Sequence, residues 1–143
     1  MRYRDTNKRR PAAGMTLIEL MIVMVIVAIL AAIAYPSYQG YVAKTRRKAA
    51  TACLSQYANF MERFYTSNLN YDVPDPLSPL ACSTESNLDR YYSFPQPDVS
   101  DDFRTYTISA DPTDGQDALD PDHCGTLTLN QASARTPTRN ACW

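Results

Sequence analysis

The apolar residues of this chain are concentrated in one stretch near the N-terminus. Residues 15–34 include only two polar side chains, Thr16 and Glu19, and no comparable run follows. A helix of this length would extend about 30 Å, which matches the hydrocarbon core of a bilayer. The pattern therefore predicts a helix that crosses a membrane. Glu19 is the exception within it, because a carboxylate among apolar side chains is costly and usually marks function.

The helical pattern continues beyond this stretch. No glycine or proline interrupts residues 41–67, and one face is predicted to pack against the rest of the chain. Proline at position 36 removes a backbone donor and crowds the preceding turn, so Pro36 predicts a kink. The expected element is one long helix over about 15–67, kinked near Pro36. The predicted packing face consists of Tyr38, Val42, Thr45, Ala49, Cys53, Gln56, Phe60 and Phe64.

Three later segments predict short strands, namely residues 90–94, 103–110 and 125–130. The second and third alternate between apolar and polar side chains, as strands with one buried face do. Residues 68–90 are predicted to form a loop, because proline recurs among them. The fold class is therefore α+β, in which the long N-terminal helix packs against a small antiparallel sheet of three or four strands.

The charges are unevenly distributed along the chain. Residues 1–10 carry five basic groups and one acid, whereas residues 68–143 carry four arginines and twelve acids. The basic N-terminus predicts that this end stays in the cytoplasm and that the C-terminus lies outside. The net negative charge of the C-terminal part repels phosphate, so we expect no direct binding of nucleic acid. The basic residues 44–48 are expected on a solvated helix face or paired with acidic groups of another molecule.

Few residues are available for catalysis or for cofactors. The chain has four glycines and one histidine, His123, and no nucleophile–base pair or glycine-rich phosphate loop is visible in the sequence. We therefore predict that the protein is not an enzyme, needs no cofactor and holds no metal. The acids between Asp111 and Asp122 could bind Ca²⁺, but their spacing is not that of an EF-hand, and a solvated loop is the favoured interpretation.

All four cysteines, Cys53, Cys82, Cys124 and Cys142, follow the predicted membrane helix. An even number of cysteines in an oxidising compartment predicts two disulfides, and three pairings are possible. A zinc site is disfavoured, because no CxxC spacing occurs and only one histidine is present. Each disulfide would stabilise the fold by about 3 kcal/mol, because it restricts the unfolded chain.

The N-terminal motif resembles that of a known family. Gly14-Met15-Thr16-Leu17-Ile18-Glu19-Leu20, between a basic leader and an unbroken apolar run, resembles the N-terminus of type IV prepilins. The resemblance implies that prepilin peptidase cuts between Gly14 and Met15 and that Met15 becomes the N-methylated first residue. It also places Glu19 at the family's assembly glutamate, which would set the register of neighbouring subunits, and Pro36 at the kink of the pilin helix.

The end of the chain resembles a second part of the same family. Residues 124–131 and the final Ala141-Cys142-Trp143 resemble the tail of PilE-type minor pilins. By this resemblance Cys124 pairs with Cys142, which leaves Cys53 and Cys82 to form the other disulfide. The fold that the resemblance implies is the pilin fold.

The resemblance also implies a division of the chain and a function. Residues 1–14 would be a leader that is removed, residues 15–36 the transmembrane and assembly half of the helix, and residues 37–143 a periplasmic or extracellular globular domain. The protein would be a minor type IV pilin, first a single-pass protein of the bacterial inner membrane and then a subunit of the surface fibre. There it would support pilus assembly and initiation at or near the tip, and hence twitching motility, adhesion or DNA uptake.

The partners implied are prepilin peptidase, the major pilin and other minor pilins, the inner-membrane assembly platform, and membrane lipid before extraction. Two alternative functions remain, a type II secretion pseudopilin and a single-pass anchored binding domain that is never polymerised. The C-terminal cysteine loop and the absence of a convincing calcium motif in the sequence disfavour the first. The pairing of Gly14 with Glu19 in one motif disfavours the second.

Overall fold

The computed structural model describes residues 14–143, so the predicted leader lies outside the described residues except for Gly14. The chain divides after Pro36 into an N-terminal unit and a C-terminal domain, Ser37–Trp143. Helix α1, Leu17–Asn68, begins in the first and ends in the second. These bounds confirm the predicted long helix. Pro36 lies inside it, and the kink there stays a prediction.

The described part of the N-terminal unit, residues 14–36, is mostly helical and presents an apolar surface. Its side chains from Met15 to Pro36 are all exposed. Among the described residues, α1 is the one helix that is long and apolar enough to cross a membrane, judged by length and composition. A continuous apolar surface of this kind is unfavourable in water, so it calls for lipid or for apolar surfaces of other molecules.

The C-terminal domain contains a five-stranded antiparallel sheet centred on its longest strand, β3. Strand β3 pairs with β1, β2 and β4, and β5 pairs with β4. In β3 and β4 the buried residues alternate along the strand, as the sequence pattern predicts. The five strands are β1 Tyr92–Ser93, β2 Asp98–Val99, β3 Tyr106–Pro112, β4 Leu127–Asn130 and β5 Arg135–Thr136.

The sheet has one strand more than the upper predicted number, and the first strand is shorter than expected. Strands β2 and β5 each contain two residues, and β1 covers only Tyr92–Ser93 within the predicted 90–94. A strand of two residues is too short to show an alternating pattern. Strand β5 instead depends on a local turn, because Asn130 Oδ1 accepts the backbone N–H groups of Ala132 and Ala134 at 3.0 and 2.9 Å.

The core lies between one face of α1 and the sheet. The buried apolar residues of α1 from Ala50 to Met61 form one cluster with buried residues of β3 and β4, among them Ile108 and Leu127. The predicted packing face was mostly wrong, since of its members only Cys53 is buried, and Phe60 is partly buried and packs against the core. The pattern was misleading because a charged residue stands in the middle of the buried stripe. The buried residues of α1 are Ala43, Arg47, Ala50, Cys53, Leu54, Tyr57 and Met61.

Two segments predicted as loops contain helices. The first holds α2, Ala81–Thr84, followed by a 3-10 helix, Glu85–Arg90. The acidic segment holds α3, Asp114–Leu119, and Asp120 directly after it is buried. The interpretation of that segment as a solvated loop was therefore wrong for Asp120, because its carboxylate has a buried cation as partner.

Candidate functional site

The predicted processing site lies at the start of the described chain. Gly14 and Met15 are exposed and precede α1, which begins at Leu17. A Cβ atom placed on Gly14 would meet no heavy atom within 4 Å. Packing within the described chain therefore does not require glycine at this position.

Glu19 lies in the first turn of α1 and is exposed. Its backbone N–H donates to Thr16 Oγ1 at 3.3 Å, and the Leu20 N–H donates to the Thr16 carbonyl at 3.2 Å. Thr16 thus caps the helix, and Thr-x-x-Glu is the spacing of a capping box. A carboxylate near a helix N-terminus is also favoured by the helix dipole. Glu19 therefore has a local role at the helix start, and its assembly role stays a prediction.

Two disulfides join the four cysteines. Cys53 of α1 is bonded to Cys82 of α2, with a Cα–Cα distance of 5.4 Å. Cys124 is bonded to Cys142, with a Cα–Cα distance of 5.7 Å. These are the pairs that the resemblance implies. The second disulfide closes residues 124–142, which we call the C-terminal loop.

Arg47 of α1 is the centre of a buried polar cluster that the sequence did not predict. The residue is only 1% exposed. Its Nη1 donates to the Asp120 carboxylate, its Nη2 donates to the Asp122 carboxylate, and Nη2 also donates to the Ala141 carbonyl at 2.7 Å. Asp122 and Ala141 stand beside the two ends of the C-terminal loop. We call these four residues the Arg47 cluster, and it holds both ends of the loop against α1.

Two further contacts hold the same elements together. Gln116 of α3 is buried, and its Nε2 donates to the Ala43 carbonyl of α1 at 2.8 Å. The Lys44 ammonium lies 3.7 Å from the Asp122 carboxylate, and 43% of the lysine side chain is exposed. That pair contributes little, because solvent screens it. The Gln116 contact is the stronger link, and it lies one helical turn before Arg47 on α1.

The electrostatics of the Arg47 cluster favour its charged form. Burial acts to lower the pKa of Arg47, but hydrogen bonds to Asp120 and Asp122 and the charges of both outweigh it, so the pKa is raised above its ordinary value. The hydrogen bond from Arg47 lowers the pKa of Asp122, against a smaller opposing effect of desolvation. The ion pair therefore remains charged at neutral pH. The expectation that residues 44–48 are solvated or bound to another molecule was wrong for Arg47.

The surface of the C-terminal loop is basic and partly aromatic. Residues 123–143 contain no acid. Arg135 and Arg139 are exposed, and the Arg135 guanidinium lies 5.2 Å from the ring centre of Trp143. Arg139 donates from Nη2 to the His123 carbonyl at 2.9 Å. Two cations and one indole ring thus lie on the segment that the Arg47 cluster holds.

A second polar contact lies within the aromatic part of the core. The Tyr71 ring centre is 4.7 Å from that of Tyr65 and 4.8 Å from that of Tyr106. The hydroxyls of Tyr71 and Tyr106 both donate to Glu62 Oε1 at 3.1 Å. Burial first, and then the Glu62 carboxylate, raise the pKa of Tyr71 to about 12 and also raise that of Tyr106. These rings belong to the core or its edge.

Two of the acids that were considered as calcium ligands contact a basic side chain of the same domain. Asp120 and Asp122 bind Arg47. Within residues 14–143, no group of three or more His, Cys, Asp or Glu side chains is placed to hold a metal ion.

This chain is similar to known proteins in sequence and in architecture. A family model described as "Type IV minor pilin ComP, DNA uptake sequence receptor" matches residues 36–128, and a model of the prokaryotic N-terminal methylation motif matches residues 9–35. Among solved structures, a type IV pilin from Shewanella oneidensis is 32% identical, with a TM-score of 0.54. The match covers 71% of this chain and 97% of that one. No curated protein sequence matches the chain.

Proposed function

Since the chain belongs to the family of type IV minor pilins described as ComP, DNA uptake sequence receptor, we propose that it is a pilus subunit that binds DNA during uptake. The family model covers most of the C-terminal domain, and the methylation motif covers the start of α1. These matches favour a pilin over a type II secretion pseudopilin and over an anchored domain that is never polymerised.

The observation that carries DNA binding is the separation of charges in the C-terminal domain. Twelve acids lie between Asp72 and Asp122, and none follows. The C-terminal loop therefore presents Arg135 and Arg139 without an acid of its own. The acid that acts on Arg139 is Asp122, just before the loop, and Arg47 already binds its carboxylate. The expectation of no direct nucleic-acid binding used the mean charge of residues 68–143, which hides this separation. That expectation stays untested, and the local charge supports the opposite proposal.

The side chains of the loop suit contacts with the DNA backbone. An arginine guanidinium donates two parallel hydrogen bonds to a phosphate, and such contacts position a protein on DNA without reading its sequence. Trp143, beside Arg135, adds a partly exposed ring with which sugars or unstacked bases can pack. Two phosphate contacts give weak binding, with a slope of log K against log salt of about −2.

The N-terminal part of the proposal concerns processing and assembly. Prepilin peptidase removes residues 1–14, Met15 is N-methylated, and residues 15–36 anchor the protein in the inner membrane before it enters the fibre. Glu19 then sets the register against neighbouring pilins. Exposure of Gly14 and the free apolar surface of the N-terminal unit support these steps. A position at or near the tip would place the C-terminal loop where DNA first meets the pilus.

The test compares DNA binding by charge-matched variants. The mature protein, residues 15–143, is held in detergent micelles and titrated with a short fluorescent DNA duplex. The dissociation constant is measured between about 50 and 200 mM salt. The double variant Arg135→Ala, Arg139→Ala should bind more weakly, and its salt slope should fall by about 2. The control, Arg63→Ala with Arg90→Ala, removes the same charge outside the loop. Equal loss in both variants, or no binding by the wild type, would refute the proposal.

A further inference from the structure

We infer that Arg47 is a positioning residue, which fixes the C-terminal loop to helix α1 and so places the loop's cations for their ligand. The part of this inference that concerns DNA binding rests on the proposed function. Arg47 itself is buried and cannot contact DNA. It acts through Asp120, Asp122 and the carbonyl of Ala141, which accept its hydrogen bonds.

The place of Arg47 on α1 is the first argument. It lies four residues after Ala43 and three before Ala50, on a helix face that is otherwise apolar from Ala43 to Met61. Replacing a buried ion pair with well-packed apolar side chains is often neutral or stabilising. Stability alone therefore does not explain a guanidinium at this site. A directional group explains it better, because hydrogen bonds define an orientation that apolar contacts do not.

The geometry of its acceptors is the second argument. They come from two segments far apart in sequence, one ending at Asp122 and the other at Ala141. The first segment is itself ordered, because Asp120 Oδ1 also accepts the backbone N–H of Asp122 at 3.1 Å. One planar guanidinium thus fixes both segments in a single orientation relative to α1. A lysine ammonium donates from one nitrogen, so it lacks the two separated, coplanar donor nitrogens that meet these acceptors.

The disulfide and Arg47 perform different tasks, which is the third argument. The Cys124–Cys142 bond joins the two ends of the loop to each other. It does not join them to α1. Strand β4 is anchored by four residue pairs with β3, whereas β5 has only two pairs with β4. The part of the loop after β4, which carries Arg135 and Arg139, therefore depends on Arg47 for its attachment to the helix.

Trp143 makes this attachment measurable, because it is the one tryptophan of the chain and lies next to the loop. We would compare wild type with Arg47→Met, which keeps the length and loses the hydrogen bonds, and with Arg47→Lys. The matched control is Arg46→Met. Arg46 is the adjacent residue, and its guanidinium lies 3.5 Å from the ring centre of Tyr91 instead of contacting the loop. All are full-length proteins with both disulfides intact.

We expect acrylamide to quench Trp143 fluorescence more strongly in Arg47→Met, less so in Arg47→Lys, and as in wild type in Arg46→Met. Hydrogen exchange should rise in residues 131–142 and stay unchanged in β3. DNA affinity should fall by about tenfold, equivalent to one net hydrogen bond. The salt slope should stay unchanged, because the cations that meet phosphate remain. A general loss of structure would instead accelerate exchange in β3 as well.

Unchanged quenching and unchanged exchange in Arg47→Met would overturn the inference. If Arg47→Met fails to fold, Asp122→Asn, which removes one partner and leaves Asp120, must show a smaller change of the same sign. No change in that variant would also overturn the inference. If wild-type protein binds no DNA, the proposed function fails, whereas Trp143 quenching still decides whether Arg47 positions the loop.

Discussion

The N-terminal unit and the C-terminal domain depend on different kinds of contact. In the N-terminal unit, the helix start is formed by residues three apart, since Thr16 caps the backbone of Glu19. In the C-terminal domain, the groups that hold the fold together come from distant parts of the sequence, since Arg47 and Asp120 are separated by 73 residues. The first unit presents an exposed apolar surface, and the second buries its own core.

This difference separates two classes of variant. A change in the N-terminal unit should alter how the protein is processed or assembled and leave the C-terminal domain folded. A change in the C-terminal domain should alter stability or loop position and leave processing intact. A variant in one unit that changed the behaviour of the other unit would contradict this distinction. The predictions therefore include variants in both units.

The largest expected effect comes from Gly14→Val. A Cβ at this position meets nothing within 4 Å in the described chain, so folding should not change. The branched side chain should block peptidase cleavage, and the leader should stay attached in all of the protein. Intact mass spectrometry of membrane protein measures this. Gly115→Val is a control of the same chemistry, because Gly115 also has an open surrounding and lies far from the motif in sequence. A chain that still begins at methylated Met15 would contradict the processing assignment.

The next effect is expected from Glu19. Glu19→Ala should be cleaved normally and should enter fibres several-fold less, because it would lack the carboxylate that we propose pairs with a neighbouring subunit. The ratio of protein in sheared pili to protein in membranes measures this. Thr16→Ala is the control, since it removes the helix cap at a cost of about 1 kcal/mol and keeps the carboxylate. Equal losses in both variants would assign Glu19 to the helix start alone.

Much of the fold could be predicted from local patterns. The long helix follows from apolar periodicity and the absence of breakers in residues 41–67. Strands β3 and β4 follow from alternation, which burial of Ile108 and Leu129 bears out. Strands β2 and β5 were missed and β1 was predicted too long, because each has two residues and is defined by its partner strand. Pairing between distant segments leaves no periodic signal in a short strand.

The candidate site divides in the same way. The Gly14–Glu19 motif is contiguous, so it could be found without a structure. The Arg47 cluster could not, because charged side chains are almost never fully buried unless paired, and the pairing residues lie beyond position 119. One signal was present in the sequence. Arg47 falls on the same steps of three and four residues as Ala43 and Ala50, and the run of basic residues around it obscured this.

In the C-terminal domain, the largest effect is expected from opening the loop disulfide. Cys124→Ser with Cys142→Ser should lower the free energy of unfolding by about 2–5 kcal/mol, because the unfolded chain regains freedom. Denaturant unfolding of the full-length protein measures it, and processing at Gly14 should be unaffected. Non-reducing peptide mapping of the wild type should find Cys53 linked to Cys82. A link between Cys53 and either C-terminal cysteine would contradict the pairing.

A smaller effect is expected from the tyrosine contacts of Glu62. Tyr106→Phe removes one buried hydroxyl that donates to Glu62 at 3.1 Å and should lower stability by about 1 kcal/mol. Tyr65→Phe is the control, because its ring packs on Tyr71 in the same cluster. The Tyr65→Phe variant should change stability less, because it keeps the ring that packs on Tyr71. Equal effects would show that ring packing, and not the Glu62 contact, determines the loss.

The smallest effect is expected from Asp122→Asn. It should appear as a change in how the free energy of unfolding depends on pH. The hydrogen bond from Arg47 lowers the pKa of Asp122 in the folded state. Its contribution to stability is therefore present above its unfolded pKa of about 4 and is lost as the pH falls through the folded value. Lys44 and Arg139 also act on this carboxylate, and Asp120 shares the Arg47 guanidinium with it. All three residues are unchanged in the variant.

The measurement is the difference in unfolding free energy between wild type and Asp122→Asn along an acid series. Other carboxylates titrate in both proteins and cancel in that difference, so a gap at neutral pH that closes in acid belongs to Asp122. Asp102→Asn is the matched control, because the pKa of Asp102 is also lowered, but by hydrogen bonds from Ser100 and the Arg104 backbone and not by Arg47. Parallel curves for wild type and Asp122→Asn would group Asp122 with the solvated acids. That result would count against the contact between Arg47 and Asp122, on which the inference about the loop partly rests.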